Sequence, residues 1–195
     1  MRKTRDEGNG KKIMVYIMAI LMVGSVFGVV FFGFSGGGGT SLEYGKFKFV
    51  NKGSFWSTIV DGREALFTYL PGDVEPITVD RGIIDGLKNR LEIDVTSNFN
   101  DTFAQQISLA GYNMGITLNN FNVFVRQGFA SENDYNFPVI TCEDSSNFVP
   151  VIYFKSSNET NVYLENNCII AEASRQDDVE MIKDRLVYGM LGVIE

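Results

Sequence analysis

The chain has 195 residues, with 17 basic and 24 acidic side chains, no histidine and a formal net charge of −7. This acidic balance disfavours nucleic acid as the main partner, because nucleic-acid-binding proteins present a basic surface. Without histidine the chain has no Ser-His-Asp triad, no Cys-His pair and no histidine metal site. Its two cysteines, Cys142 and Cys168, are too few for a four-thiolate zinc site.

The N-terminal part of the chain has the pattern of a membrane anchor. Residues 1–12 hold five basic and two acidic side chains, and residues 13–34 contain neither a charge nor a proline. A helix over 13–34 is about 33 Å long, which is enough to cross a hydrocarbon core of roughly 30 Å. We therefore expect a transmembrane helix at 13–34 that contacts the lipid bilayer, preceded by a basic cytoplasmic tail at 1–12.

Two other interpretations of this segment stay open. A cleaved signal peptide has an apolar region of about 7–15 residues followed by small residues, and Gly33, Ser35 and Gly36 would supply the small residues. A pilin-like structural subunit also begins with a basic leader and an apolar helix, but the helix here lacks the early glutamate common in such subunits. We favour an uncleaved signal anchor with the N-terminus in the cytoplasm, because the basic cluster precedes the helix.

The rest of the chain divides into a glycine-rich tether at 35–43 and a domain at 44–195. The tether contains four consecutive glycines, a composition typical of flexible linkers. All remaining charges follow residue 40, and the twelve basic and twenty-two acidic side chains there give a net charge of −10. Such an acidic surface suits a domain held beside anionic lipid headgroups.

Two features of the domain indicate an extracytoplasmic, oxidising location. Cys142 and Cys168 form an even pair, and a disulfide closing their loop of about 27 residues would contribute roughly 3.5 kcal/mol. Asn100 and Asn158 each begin an N-x-[ST] acceptor pattern for N-glycosylation. We therefore predict a disulfide between the two cysteines and a cell-surface domain that can carry glycans.

The first part of the domain, over 44–70, predicts an antiparallel β-meander. Alternating aromatic and polar residues are interrupted by Asn-Lys-Gly at 51–53 and Asp-Gly at 61–62, which favour hairpin turns. Aromatic side chains are concentrated here. Trp56, Phe67 and Tyr69 are the candidate contact surface for a sugar or peptide ligand, with core packing as the simpler explanation.

Helical and strand patterns alternate after the meander. Residues 82–90 predict a short helix, and a second helix starts at 101–102 with a Thr102–Gln105 capping box. A final helix is expected over 176–191. Strands are expected over 91–96, 121–127, 139–142, 149–154, 161–164 and 168–172. This order favours one mixed α+β domain.

No catalytic residue, cofactor site or metal site is predicted. Three carboxylate pairs could act as acid and base, but their spacing singles out none of them; they are Asp73/Glu75, Asp94/Asp101 and Glu143/Asp144. An oxygen-rich loop lacks the EF-hand pattern and is expected to be a polar loop; its residues are Glu132, Asn133, Asp134 and Asn136.

Three segments carry a resemblance to a known group of proteins, namely 138–142 (PVITC), 167–170 (NCII) and 184–192 (DRLVYGMLG). They resemble the C-terminal region of archaeal single-pass, membrane-anchored extracytoplasmic proteins. The resemblance covers under a third of the chain. It implies an N-terminal anchor and an outer domain with paired cysteines, and it transfers no activity and no catalytic residue.

Together these patterns predict a single-pass membrane protein that presents an acidic, non-catalytic α+β domain to a protein or glycan partner outside the cell. Two alternatives belong to other classes: a carboxylate-dependent envelope hydrolase and a pilin-like structural subunit.

Overall fold

The computed structural model describes residues 14–22 and 40–194. The chain divides into two units, 1–39 and 40–195. In the first unit, residues 14–22 form helix α1, and every side chain in it is exposed. Across the described ranges, no helix combines the length and apolar character that crossing a membrane requires. The predicted basic tail, the predicted span apart from 14–22, and the predicted tether up to residue 39 all lie outside the described residues.

The second unit begins with a four-stranded antiparallel sheet in the order β1-β2-β3-β4. Its strands are β1 (Ser41–Tyr44), β2 (Phe47–Asn51), β3 (Trp56–Val60) and β4 (Arg63–Phe67). The predicted Asp-Gly turn joins β3 to β4, and both Asp61 and Gly62 have the positive φ that a type I′ turn requires (49° and 77°). The antiparallel meander is thus confirmed.

The domain starts earlier than predicted, because the last residues assigned to the tether form β1. Ser41 pairs with Val50 and Tyr44 with Phe47, so the chain reverses at Gly45, whose φ of 56° suits a glycine. Residues Ser41–Tyr44 therefore belong to the sheet, and the meander has one strand more than the sequence pattern indicates.

The second sheet has five strands in the order β6-β5-β7-β9-β8 and is mostly parallel. Its strands are β5 (Glu92–Ser97), β6 (Phe124–Phe129), β7 (Val151–Ser156), β8 (Asn161–Glu165) and β9 (Cys168–Ala173). β5 pairs in parallel with both β6 and β7, β7 pairs in parallel with β9, and only β8 is antiparallel, at one edge. The mixed α+β class is confirmed, and its larger sheet is built around a parallel core.

Four α-helices and one short 3-10 helix (Cys142–Asp144) accompany the sheets within 40–194. The α-helices are α2 (Pro71–Val74), α3 (Arg81–Leu87), α4 (Ala104–Asn119) and α5 (Gln176–Met190). Helix α4 connects the parallel strands β5 and β6, as such a crossover requires. The predicted Thr102–Gln105 capping box is wrong. The carboxylate of Asp101 accepts the Phe103 amide at 2.7 Å instead, and the helix begins at Ala104.

The main core joins the meander to α4, α5 and one face of the parallel sheet. Phe67 at the end of β4 is fully buried and stacks on Tyr188 of α5, with ring centroids 3.8 Å apart. The Tyr188 hydroxyl donates to the Tyr69 carbonyl at 2.7 Å. The predicted role of Phe67 as a contact residue is therefore wrong, because its side chain belongs to the core.

A smaller cluster covers the opposite face of the parallel sheet, where Ile140 packs with Val151, Cys168 and Ile170. Side chains alternate along β9, so Ile169 faces the main core while its neighbours face this cluster. The predicted disulfide between Cys142 and Cys168 is confirmed and ties the segment before β7 to the start of β9.

Candidate functional site

The carboxyl ends of parallel strands are where open α/β sheets usually bind ligands. Here β5, β7 and β9 end at Ser97, Ser156 and Ala173. The carboxylate of Asp101, which follows β5, accepts hydrogen bonds from the backbone amide (2.9 Å) and the hydroxyl (3.1 Å) of Ser156. The chain thus places its own acidic group between the ends of two neighbouring strands.

The N-terminus of α5, just beyond β9, is occupied in the same way. Oδ2 of Asp178 accepts from the Ser174 hydroxyl (2.9 Å), the Thr160 hydroxyl (2.5 Å) and the Arg175 amide (3.1 Å). Burial opposes ionisation of this carboxyl, but the hydrogen bonds from Thr160, Arg175 and Ser174 hold its pKa below the usual value. A helix N-terminus attracts anions, and here the attracted anion is the side chain of Asp178 itself.

Among the carboxylates in the suggested acid–base pairs, hydrogen-bond partners are present for Asp73, Asp94, Asp101 and Asp144. Asp94 is buried and receives two hydrogen bonds from the Arg126 guanidinium, at 2.8 and 2.6 Å. Asp73 accepts the Leu70 amide at 3.1 Å, and Asp144 accepts the Thr141 amide at 2.7 Å. These contacts give Asp73, Asp94 and Asp144 structural roles, because each carboxylate accepts from a backbone amide or from an arginine.

The oxygen-rich loop at 132–136 is also explained by its own hydrogen bonds. Oδ1 of Asn133 accepts the amides of Tyr135 (3.1 Å) and Phe137 (3.3 Å), so this side chain holds a turn. In the described part of the chain, no group of three or more acidic, cysteine or histidine side chains is arranged to hold a metal ion.

A buried ionic network inside the domain has no counterpart in the sequence prediction. Lys183 on α5 is only 2% exposed, and its ammonium contacts Asp184 at 2.5 Å and Glu180 at 3.1 Å. The other oxygen of Asp184 accepts the amides of Thr68 (2.9 Å) and Tyr69 (2.8 Å), where the meander ends. Burial raises the pKa of Asp184 to about 6, although Lys183 acts in the opposite direction. This network joins α5 to the meander.

The remaining predicted site residues lie in two places. Trp56 and Tyr69 are half-buried and pack against the main core, with Trp56 opposite Phe67 in the β3–β4 pair. Asn100 and Asn158 are exposed, in the connections that follow β5 and β7. Since these strands are parallel neighbours, both asparagines lie at the carboxyl edge of the sheet.

An uncharged groove runs between α4 and the edge strand β6; we call it the α4–β6 groove. It encloses about 320 Å³, and an adjoining cavity of about 220 Å³ continues it past Gln127 towards Phe137. Tyr112, Ile116 and Phe124 border it and are 60%, 42% and 61% exposed. The described residues that line the groove and the cavity include no Lys, Arg, Asp or Glu.

This groove was missed by sequence reasoning, although two signals for it are visible in the sequence. The segment that forms α4 has no charged residue in a domain whose net charge is −10. In addition to the buried stripe, α4 carries a second apolar stripe of Leu109, Tyr112 and Ile116 at helical spacing, and all three are exposed. A helix that is apolar on two sides exposes one of them unless another surface covers it.

No protein-family model, no curated protein and no solved structure matches this chain. The resemblance to archaeal membrane-anchored proteins therefore stays a prediction.

Proposed function

We propose that this chain is a single-pass membrane protein whose extracytoplasmic domain binds a partner protein, without catalysis, through the α4–β6 groove. The observation that carries the proposal is the uncharged, partly apolar groove on an otherwise acidic domain, bordered by the exposed side chains of Tyr112 and Ile116. Contiguous apolar surface with exposed aromatic residues is typical of protein contact sites.

The location outside the cell is supported by the disulfide and by the N-terminal sequence. A disulfide persists in oxidising compartments, and the Cys142–Cys168 bridge ties the segment before β7 to β9. The uncharged run at 13–34 is long enough for a membrane span, and the basic residues before it favour a cytoplasmic N-terminus. The exposed Asn100 and Asn158 are then accessible to glycosylation.

The non-catalytic part of the proposal rests on the carboxyl edge of the parallel sheet. Asp101 and Asp178 satisfy the hydrogen-bond donors there that would otherwise receive an anionic substrate. The carboxylate of Asp94 accepts two hydrogen bonds from Arg126. Binding at the α4–β6 groove requires no change in any of these contacts.

Photo-crosslinking in intact cells tests this proposal. A photo-reactive amino acid is placed at Ile116, and a matched one at Phe148, which is 81% exposed but does not line the groove. We expect a discrete protein adduct from position 116 and none from position 148. A second chain combining the probe at 116 with Tyr112→Lys should lose the adduct. Equal adducts from both positions, or none from 116, would contradict the proposal.

A further inference from the structure

The geometry of β6 points to the kind of partner that the groove accepts: we infer that an extended, uncharged segment joins the parallel sheet as an added strand beside β6, with its apolar side chains in the α4–β6 groove. This inference rests on the proposed function and specifies how the partner binds.

The backbone of β6 offers free hydrogen-bonding groups at its outer side. The amide of Phe124 donates inward to Leu91 at 2.8 Å, while the amide of Phe129 donates outward to Pro138 at 2.9 Å. Because successive residues of a strand point their backbone groups to opposite sides, Val125 and Gln127 direct both amide and carbonyl outward. Within 40–194, these outward groups have no backbone partner.

A short segment of the chain itself, 138–140, already lies beside the end of β6 in the position of an added strand. Val139 forms a parallel bridge with Phe129, whose carbonyl accepts the amide of Ile140 at 2.8 Å. A Cβ on Gly128 would lie 2.5 Å from the Pro138 carbonyl oxygen, so this close approach requires glycine. Before Pro138 the chain forms a turn in which Asn133 accepts the amides of Tyr135 and Phe137, and in the described residues the one bridge of this segment to β6 is at Phe129. The edge from Val125 to Gln127 therefore stays open to another strand.

The two sides of β6 set the side-chain chemistry of this added strand. Every second residue of the strand would face α4, where Tyr112 and Ile116 provide an apolar surface. On the other side, Arg126 is already neutralised by Asp94 at 2.6 Å and lies 3.5 Å from Glu92. Neither side presents an unpaired charge, and the net charge of the domain repels acidic segments. The occupant is thus apolar at alternate positions and carries no acidic groups.

A library of random octapeptides displayed on phage tests the side-chain chemistry, with the full-length chain in nanodiscs as bait. We expect enriched peptides with an apolar residue at every second position and a depletion of acidic residues. Selection that yields no enriched peptides, or peptides without this period of two, would overturn the inference.

N-methylation of one enriched peptide, made as a soluble synthetic compound, tests strand addition directly. Methyl groups on the alternate amides that face β6 remove the ladder hydrogen bonds and should weaken binding about tenfold or more. Methyl groups on the intervening amides should change affinity by less than about twofold. If methyl groups weakened binding equally at all positions, or at no position, the result would contradict strand addition.

Two protein variants test whether the peptide binds at the groove. Tyr112→Lys should weaken peptide binding about tenfold, whereas Phe148→Lys, the matched exposed control, should leave it within about twofold.

The possible outcomes distinguish the proposed contact site from the proposed strand addition. Adducts from position 116 together with failure of the peptide tests would leave the groove as a contact site and remove strand addition. Absence of adducts at 116 would remove the contact site.

Discussion

Helices α4 and α5 pack against each other between the meander and the parallel sheet, yet they use their side chains in opposite ways. Helix α5 turns charged groups inward, and Asp178, Lys183 and Asp184 are all buried. Helix α4 has no charged residue and exposes Tyr112 and Ile116. The difference teaches that one helix of this domain uses charged side chains in its packing, whereas the other exposes an uncharged face, which we propose as the contact surface for a partner.

The largest expected loss of stability follows from removing the buried carboxylate of Asp184 on α5. Asp184→Ala leaves Lys183 with Glu180 as its remaining acidic contact and leaves two backbone amides of the meander without an acceptor. Breaking a buried ion pair on one side costs about 3–5 kcal/mol. We expect a loss of this size in the free energy of unfolding, measured by urea denaturation with the fluorescence of Trp56. A loss below about 1 kcal/mol would show that the network does not join α5 to the meander.

The dependence of the free energy of unfolding on pH gives a second test of the buried carboxyl of Asp184. The pKa of Asp184 is raised from 3.8 to about 6, so this carboxyl holds more protons in the folded than in the unfolded chain between these values. Its contribution to stability is complete below pH 3.8 and is lost as pH rises through about 6. The wild-type free energy of unfolding should therefore fall relative to Asp184→Asn over this range, by about 3 kcal/mol at most. A difference that rises with pH would contradict the burial effect.

A smaller effect is expected at the N-terminus of α5. Asp178→Ala leaves the Thr160 and Ser174 hydroxyls and the Arg175 amide without this acceptor. We expect a loss of about 2 kcal/mol in the free energy of unfolding. The neighbouring Asp177 is exposed, so Asp177→Ala is the matched control and should change stability by less than about 0.5 kcal/mol. Equal effects of the two variants would mean that Asp178 has no special capping role.

The smallest effect on stability is expected on α4. Tyr112 is 60% exposed, so Tyr112→Lys should change the free energy of unfolding by less than about 0.5 kcal/mol. The same variant should weaken binding of the enriched peptide about tenfold, because it replaces part of the apolar border of the groove with a charged side chain. A large loss of stability would show that Tyr112 belongs to the core instead.

Local signals in the sequence predicted part of this fold correctly. The turn at Asp61–Gly62, the cysteine pair and the final helix expected over 176–191 follow from local composition and spacing, and all are present in the structure. The order of the strands in the sheet cannot be derived from these patterns, because alternation within one strand carries no information about which strand lies beside it. The parallel pairing of β5 with β6 and β7 was therefore not anticipated.

The site was harder to predict than the fold, for a physical reason. A contact surface of aromatic residues is indistinguishable in sequence from a core, so the pattern favours Phe67, which is buried, and does not single out Tyr112, which is exposed. Likewise, Lys183 and Asp184 are adjacent charged residues that would normally face solvent. They are buried because the end of the meander supplies two amides to Asp184.

Hydroxyl-radical footprinting on intact cells, compared with the purified full-length chain, tests the central claim most directly. Radicals generated outside the cells should modify Phe148 equally in both samples, because its ring is 81% exposed. Tyr112 should react in the purified chain but be protected on cells, where the partner covers the α4–β6 groove. Equal modification of Tyr112 in both samples would contradict a partner at the groove, and protection of Phe148 until the cells are lysed would contradict the location outside the membrane.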